Sequence, residues 1–564
     1  MIEGQALTGI ASQVVFFPSR SGKKIVGFLD IAAGCSETAP YVVMAPKYGQ
    51  SKKNNLQLAY HFAQNGMRVL RFDQTNHIGE SEGEIVDYTL PGAVDDILAA
   101  VDFLEIQYQA QSILLQANSM SARCAIRAVR LDERIERLVC LVGIVNFQST
   151  ITTICQKDIV SAYMDGAIQG VGDILGHDVN IDQFLKTCVD QDMHNLDGSM
   201  TDLREAKCDV FMFAAGRDAW VESSELDALD AQAPRVSMRR VEGAMHELME
   251  NPKIAMDTIL QAVYVCKHGR FAEAGELETL SFPDKKSIFA QNRIERDRLR
   301  AVAPLRECEG DFWKKYLDKY KMLQSVGAYQ EYLDLIGACL GAPAAGQVYL
   351  DCGCGNGMFG AWCLRDAAVR AGVNQGEPVS YFGLDLTGKG LSEASQNHAI
   401  ASKEMSDASD ASFGGLSMMY YRFDLDELDP ASGTGLRLPF EDASIDRICC
   451  SLLISYLKRP EVLMAEFHRV LKPGGRIIVS SMKPYCDLSL IYKGFVDEAD
   501  TEDAIESARN LLSAAGAIQQ KEEEGHYVFY TEEELLSVLT LSGFDRAQFF
   551  RSFGDQANMV SAVR

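Results

Sequence analysis

SILLQANSMSARCAIRAV, Ser112–Val129, is an apolar run, then a turn of small residues, then an amphipathic stretch of helical period. In order, it reads as a buried strand running into a helix, with Ser119 at the bend. A side chain placed there faces a helix N-terminus, where backbone N–H groups lack partners and negative charge is favoured. By itself, a serine in an alanine-rich turn is an ordinary helix cap. Further short apolar runs lie on either side: YVVMAP (Tyr41–Pro46), MRVLRFD (Met67–Asp73), LVCLVGIV (Leu138–Val145) and DVFMFAAG (Asp209–Gly216). Continuous apolar strands between helical stretches mark a mostly parallel sheet covered on both faces, so the class is α/β. Between about Phe147 and Glu205 the rhythm lapses into helical-looking sequence of mixed polarity, as a cap inserted over a strand-end site would.

Two more residues occupy comparable places. Asp218 follows the strand DVFMFAAG, and His246 follows the strand-like run RVSMRRVEG (Arg235–Gly243). Both fall just past a strand, where loops converge, and the chain holds only 9 His. Ser119, Asp218, His246 is the chain order of the triad in α/β-hydrolases, whose nucleophile sits on a strained strand-to-helix elbow. That elbow usually reads GxSxG, because bulky flanks obstruct so sharp a turn. Here it reads Ala117-Asn118-Ser119-Met120-Ser121, small at both flanks but without glycine. Outside a triad, Asp218 is a turn residue and His246 a surface-loop histidine.

Four stretches, RFDQTNHIGESEGEIVDYT (Arg71–Thr89), QANSMSAR (Gln116–Arg123), GRDAWV (Gly216–Val221) and GAMHEL (Gly243–Leu248), resemble those of the LuxD-type acyltransferase/thioesterase of bacterial bioluminescence, an α/β-hydrolase. The resemblance covers about residues 8–265 and extends to the small-residue elbow. It implies release of fatty acyl groups from acyl carrier protein, with Ser119 as nucleophile, His246 as general base and Asp218 as its orienter. It also implies an oxyanion hole in which the loop at Lys47-Tyr48 gives one N–H, that of Tyr48, and Met120 the other. Asp73 and His77 match a neighbouring family motif and are expected to support the site. The helix after the nucleophile carries Arg123, Arg127, Arg130, Arg134 and Arg137 at spacings of three and four, one basic face. It reads either as a solvated face paired with Asp132, Glu133 and Glu136 or as a dock for an acidic carrier protein.

From about Gly269 to Gly310 no strand signal occurs, and DKKSIFAQNRIERDRLRAVAPLRE (Asp284–Glu307) reads as a charged helical linker. The strand rhythm then resumes in QVYLDCG (Gln347–Gly353), VSYFGLD (Val379–Asp385), SMMYYRFD (Ser417–Asp424), IDRICCS (Ile445–Ser451) and GRIIVSS (Gly475–Ser481). No internal repeat relates the halves, so the expected organisation is a domain over 1–268 with its cap at about 147–205, a linker over 269–310, and a different domain over 311–564. VYLDCGCGNGMFG (Val348–Gly360) passes from a strand through Gly353, Gly355 and Gly357 into a helix. Glycines there let the backbone approach a ligand, and the helix start offers N–H groups. Alone the pattern is unspecific. YFGLD, however, ends in Asp385, placed to accept from a ribose diol, and YYRFD ends in Asp424, where an adenine edge would lie.

With LPFEDASIDRICCS (Leu438–Ser451) and FHRVLKPGGRIIVSS (Phe467–Ser481), this order resembles the class I S-adenosylmethionine-dependent methyltransferases over about residues 312–564. The resemblance implies a Rossmann-like fold and S-adenosylmethionine as cofactor. Asp351 and Gly353 would line the methionine end, Asp385 the ribose, Asp424 and Leu425 the adenine, and Ser451 and Leu452 would lie beside the reacting methyl, with Gly355, Gly357 and Leu386 also cofactor-binding. One departure is the 32 positions from Gly353 to Asp385 (385 − 353), against roughly 20 in such sites. An insertion around Ala367–Pro378 accounts for it. Ser402–Gly415 reads as a loop. Tyr456, Tyr485, His526 and Tyr527 are candidate acceptor-site residues, with Trp313–Tyr320 and YKMLQSVGAYQEY (Tyr320–Tyr332) as a candidate lid; His468 reads as structural. A carboxylate acceptor needs no base, whereas a phenol, alcohol or amine does, and the sequence does not choose.

Composition sets outer limits. The chain has 564 residues, 47 % hydrophobic and 24 % charged, with a formal charge of −25, a globular make-up with length for two to four domains. The negative balance speaks against broad binding to nucleic acid or anionic membrane. MIEGQALTGIASQVVFF at the start has no features of a secretory signal, no run reaches the ~18 apolar residues of a span, and the 15 Cys are scattered. Cys352 and Cys354 have no second pair to complete a zinc site, so reduced thiols, no metal and a cytoplasmic location are expected. The acidic clusters Asp497–Glu506, Glu522–Glu524 and Glu532–Glu534 fall in the second half. The joint expectation is a bifunctional thioesterase–methyltransferase acting on an acyl or polyketide-type carrier-bound substrate in secondary metabolism. The alternatives are an esterase or acyltransferase fused to an unrelated small-molecule methyltransferase, and a methyltransferase whose hydrolase-like domain only binds.

Overall fold

In a computed structural model of the protein, the described residues are 9–302, 308–341, 346–366, 378–407, 416–426, 436–499 and 501–564. The chain folds as two compact units, Met1–Pro304 with Leu512–Gly525, and Leu305–Leu511 with His526–Arg564.

Eight strands form the main sheet of the first unit: β1 (Ile10–Pro18), β2 (Lys24–Ala32), β3 (Tyr41–Ala45), β4 (Arg68–Phe72), β5 (Ile113–Asn118), β6 (Ile135–Leu141), β9 (Asp209–Ala215) and β10 (Val236–Val241). Their order is β1-β2-β4-β3-β5-β6-β9-β10, parallel from β4 to β10 with β1 and β2 added antiparallel at one edge. β3 is buried at every position, which is why it reads as an unbroken apolar run. β6 stops at Leu141, short of the strand expected to reach Val145. Val142 donates its N–H to Phe213 O of β9 at 2.8 Å as a last cross-strand bond, and its turn to φ 47 then takes the chain out of the ladder.

Between β6 and β9 the cap comprises helices Phe147–Cys155, Ile159–Met164, Ile181–Asp190 and Leu196–Glu205. Asn146, Asp158, Asn180 and Asn195 start them, each side chain accepting the N–H three residues on. The cap also holds an unexpected hairpin, β7 (Val171–Ile174) and β8 (His177–Asn180), turned by Leu175 and Gly176 at φ 54 and 88. The segment read as a linker forms the helix Lys285–Val302, which belongs to the first unit. There Arg71 of β4 forks between Asp30 (2.7 Å) and Glu295 (2.8 Å), all three buried, so each charge has a partner.

The second unit has strands β11 (Val348–Cys352), β12 (Val379–Asp385), β13 (Leu416–Arg422), β14 (Ile445–Cys450), β15 (Leu471–Met482), β16 (Asp545–Ser552) and β17 (Ala557–Val563) in the order β13-β12-β11-β14-β15-β17-β16. Pairing is parallel from β13 to β15, and β17 lies antiparallel between β15 and β16. Strand order reverses between β11 and β14, so a crevice opens at their carboxyl ends, the usual ligand position in such sheets. Residues 402–407 continue the helix Gly388–Asp407 rather than forming a loop. The rest of that stretch, 408–415, and residues 367–377 of the expected insertion lie outside the described residues. Tyr329 and Tyr332, expected in a lid, are buried core residues of the helix Gly327–Leu340. Among the described residues no helix is long and apolar enough to cross a membrane.

Candidate active sites

β5 ends at Asn118 and a helix begins at Met120, leaving Ser119 between them at φ 50, ψ −125. Space for this bend comes from small neighbours. A Cβ on Gly143 would lie 2.9 Å from the Ala122 methyl, while Ser119 O accepts the Ile144 N–H at 3.0 Å. Ser119 Oγ is 2.8 Å from His246 Nε2, and His246 Nδ1 is 2.8 Å from Asp218 Oδ2. The other Asp218 oxygen accepts the N–H groups of Trp220 (2.9 Å) and Val221 (3.2 Å). Burial would raise the Asp218 carboxyl, but His246 and the two N–H donors outweigh it and hold it below its ordinary value. An ionised carboxylate therefore orients the ring and leaves Nε2 facing the serine.

Loop 46–55 follows β3 beside this relay. Ser121 Oγ donates to Pro46 O, Lys47 pairs with Glu247, and Gln50 Nε2 donates to Glu247 Oε1 at 3.3 Å. Gly49, at φ 75, donates its N–H to His77 Nε2 at 3.0 Å. Burial, with His177 adding to it, lowers His77 from 6.5 to about 3, so it remains a neutral acceptor. Among the described residues, neither the Tyr48 nor the Met120 backbone N–H meets a protein acceptor. Asp73 is occupied by Lys52 and by the N–H groups of Lys52 (2.7 Å) and Glu80 (2.8 Å). Both Asp73 and His77 thus hold the loop. Nothing in the sequence signalled Gln50 or Glu247.

The arginine face matches neither expected reading. Arg123, Arg127 and Arg130 converge on the buried Asp202 carboxylate at 2.8, 2.8 and 3.0 Å. Arg134 pairs with Asp102, Glu105 and Asp132, and Arg137 Nη1 donates to Cys266 O at 2.8 Å. Asp202 lies on the cap helix Leu196–Glu205, so the cap engages Arg123, Arg127 and Arg130, whereas Arg134 and Arg137 pair away from it and only the Asp132 pairing was foreseen.

In the second unit Gly353, Gly355 and Gly357 take φ 71, 53 and 80 after β11. Asp385, at the end of β12, accepts the Gly355 N–H at 2.9 Å through one oxygen, and the Thr387 N–H and hydroxyl through the other, both at 2.8 Å. It therefore closes on the glycine loop despite the long spacing. Asp351 is buried and accepts from Tyr381 Oη at 2.6 Å; burial raises its carboxyl to about 7. His398 Nε2 lies 2.7 Å from Gly357 O, and its Nδ1 lies 2.6 Å from Tyr420 Oη. Asp424 accepts the Asp426 N–H at 2.9 Å, Leu386 O accepts from Arg422 Nε at 3.1 Å, and Leu425 is buried.

Past β14, Tyr332 Oη lies 2.6 Å from both Ser451 Oγ and Ser480 Oγ, and Leu452, at φ 50, donates its N–H to Ser480 Oγ at 2.9 Å. Tyr456 and Tyr527 come together with Trp313: ring centroids are 4.6 Å apart for Trp313–Tyr456 and 4.9 Å for Tyr456–Tyr527. Tyr527 Oη donates to Glu309 Oε2 at 2.6 Å. Tyr485 stands at φ 56 beyond β15, and His526 precedes Tyr527. His468 packs edge-on to Phe544. Tyr332 was read as part of a lid, and Tyr381 and His398 escaped the sequence reading because their partners are distant in the chain.

Residues 35–267 match the family described as acyl transferase, and residues 350–479 match a methyltransferase domain. An acyl transferase of Photobacterium phosphoreum is 25 % identical over 219 residues, 38 % of this chain and 71 % of that protein. One from Aliivibrio fischeri (strain ATCC 700601 / ES114) is 23 % identical over 263 residues, 46 % of this chain and 85 % of that protein. Among solved structures, Est1E from Butyrivibrio proteoclasticus with ferulic acid bound aligns at 16 % identity and TM-score 0.36, covering 43 % of this chain and 96 % of that one. The chain thus joins an N-terminal stretch that matches the acyl transferase family to a C-terminal stretch that matches a methyltransferase domain, each on its own mostly parallel α/β sheet.

Proposed function

We propose that the protein is a bifunctional enzyme that takes an acyl or polyketide-type chain from a carrier-protein thioester and transfers a methyl group to the same substrate. The observation that carries the reading is the relay from Ser119 Oγ through His246 to Asp218, 2.8 Å at each step. In this reading Ser119 Oγ attacks the thioester carbonyl carbon as its proton passes to His246 Nε2. The carbonyl oxygen becomes anionic against the free N–H groups of Tyr48 and Met120, where one donor contributes roughly 3–4 kcal/mol. Collapse expels the thiol, protonated by His246, and leaves an acyl-Ser119 ester. Water or another hydroxyl, deprotonated by His246, then releases the chain.

In the methyltransferase unit the donor set suits S-adenosylmethionine. A left-handed glycine loop offers close backbone approach, and the buried carboxylate of Asp351 and the half-buried one of Asp385 sit beside it to accept from an ammonium and a diol. When bound, this cofactor supplies an electrophilic methyl on sulfonium. Asp351 and the glycine loop would hold its amino-acid end, Asp385 its ribose and Asp424 its adenine. The Ser451-Leu452 turn, fixed by Tyr332 and Ser480, would shape the wall facing the acceptor, with Tyr456, Tyr485, His526 and Tyr527 beyond it. Alignment and exclusion of water are the chain's main contributions to such a displacement.

The test is mass spectrometry of the full-length chain with a set of acyl-carrier thioesters, with and without S-adenosylmethionine. An acyl adduct on Ser119, lost in Ser119→Ala, is expected; no adduct with any chain would defeat the proposal's first half. Methyl esters that require Ser119 would place release first, whereas methylated acyl-carrier accumulating in Ser119→Ala would place methylation first. No methylated product in either protein would defeat the second half.

A further inference from the structure

Leu512–Gly525 stand far along the chain from the acyl site, yet they fold as part of the first unit. They comprise the second half of the helix Glu502–Glu523 and the turn after it. The Leu175-Gly176 turn of the β7–β8 hairpin meets them backbone to backbone. A Cβ on Gly176 would lie 2.7 Å from both Ser513 O and Ala517 N, and one on Gly516 would overlap Leu175 O. Ser513 Oγ adds a hydrogen bond to Asp173 Oδ2 at 2.8 Å. Gln520 hydrogen-bonds His177, whose ring stands edge-on to Tyr48 at 5.6 Å and whose Nε2 would touch a Cβ on Gly49 at 3.0 Å. At the end of the helix, Glu523 accepts from Ser51 Oγ at 3.2 Å and from Asn54 Nδ2. Lys53 Nζ lies 3.2 Å from Glu522 Oε1 and 3.8 Å from Glu523 Oε2, with Lys53 and Glu523 both buried.

Loop 46–55 is therefore held from two sides. Ser121, His77 and Glu247 fix its first half, and Glu522, Glu523 and Gln520 fix its second half and its flank. Tyr48 and its free N–H lie between the two sets of contacts. A donor to a developing oxyanion acts only where it is already fixed, since a displacement of about 1 Å diminishes rate by roughly 10²-fold. We propose that residues 512–525, with Glu523 as the chief contact, position the Tyr48 N–H for acyl transfer, so that a segment of the chain remote in sequence is a working part of the acyl site. This rests on the acyl-transfer reading above.

Two readouts on the full-length chain separate the inference from that reading. One is kcat and KM with an N-acetylcysteamine acyl thioester; the other is hydrogen–deuterium exchange of the peptide covering residues 46–55. Glu523→Ala and Gly516→Val are expected to lower kcat about 10- to 100-fold with KM within about twofold, and to speed exchange in that peptide. Glu523→Gln keeps a carbonyl for Asn54 and an amide for the Ser51 hydroxyl, so it should recover most of the rate. A variant that merely unfolds would lose that split between kcat and KM and fail the Gln rescue. Unchanged exchange and unchanged kcat in both variants overturn the inference. Faster exchange in a parent protein that never acylates Ser119 overturns the catalytic role together with the acyl-transfer reading, and leaves only a packing contact.

Discussion

Ser119 occupies φ 50, ψ −125, a backbone region that side chains other than glycine avoid, at about 1–3 kcal/mol. The bend aims Oγ at His246, so strain and reactivity share one residue. Ser119→Gly removes both. We expect it to raise the first unit's melting temperature by a few degrees while eliminating the acyl-enzyme, measured by thermal denaturation and intact mass. A lower melting temperature would mean that the hydroxyl's hydrogen bond outweighs the strain. At this scale much of the site was legible. Ser119, Asp218 and His246 each follow a strand, and their chain order together with the family resemblance paired them. Gln50, Glu247, Tyr332 and His398 were not legible, because their partners lie in other parts of the chain and no spacing rule reaches that far.

The helix Met120–Leu131 shows why an element's face cannot be assigned from its own sequence. Five arginines at helical spacing look like one charged exterior, yet only Arg123, Arg127 and Arg130 lie on the helix, Arg134 follows its end and Arg137 sits in β6, and Arg123 and Asp202 are both fully buried. Their partner is on the cap, 79 residues away. Asp202→Ala would leave three guanidinium groups around a vacated carboxylate, an uncompensated buried charge worth about 3–5 kcal/mol. Arg130→Ala removes only a part-exposed member and should change stability by less than about 1 kcal/mol. Urea denaturation of both variants checks this, and equal losses would show that the cluster is not organised around Asp202. Strands follow a similar logic. β3, β5 and β11 are covered on both faces and announce themselves as apolar runs. β1, β2, β16 and β17 lie towards sheet edges, and β16 mixes exposed and half-buried positions, so its pattern blends with loop sequence.

Across the whole molecule, among the described residues, burial lowers four imidazoles, His61 included, and the three shifted furthest give stability a pH dependence. Burial lowers His77 to about 3 and His177 and His398 to about 4, against an ordinary 6.5. Below pH 6.5 the unfolded chain binds protons at these sites, and the folded chain does not until near pH 3–4. Acid therefore favours unfolding through that window, and stability is fully present above it. Between pH 7.5 and 5.5 each imidazole should diminish stability by about 1 kcal/mol, two in the first unit and one in the second. Urea midpoints at the two pH values test it; a flat profile would mean that the rings accept protons while buried. The two-fold division of the chain was visible in its two strand rhythms, but the membership of residues 512–525 was not, since only spatial contact reveals it.

That membership also has a timetable. A ribosome that has finished Pro304 must still make the 207 residues from 305 to 511 before Leu512 exists. At about 5–20 residues per second this takes roughly 10–40 s. Throughout that interval the nascent first unit has its serine, histidine and aspartate but lacks Glu523, so loop 46–55 waits with Lys53 uncompensated. With the role proposed for Glu523, the loop carrying Tyr48 reaches its final geometry only after Leu512–Gly525 have been made.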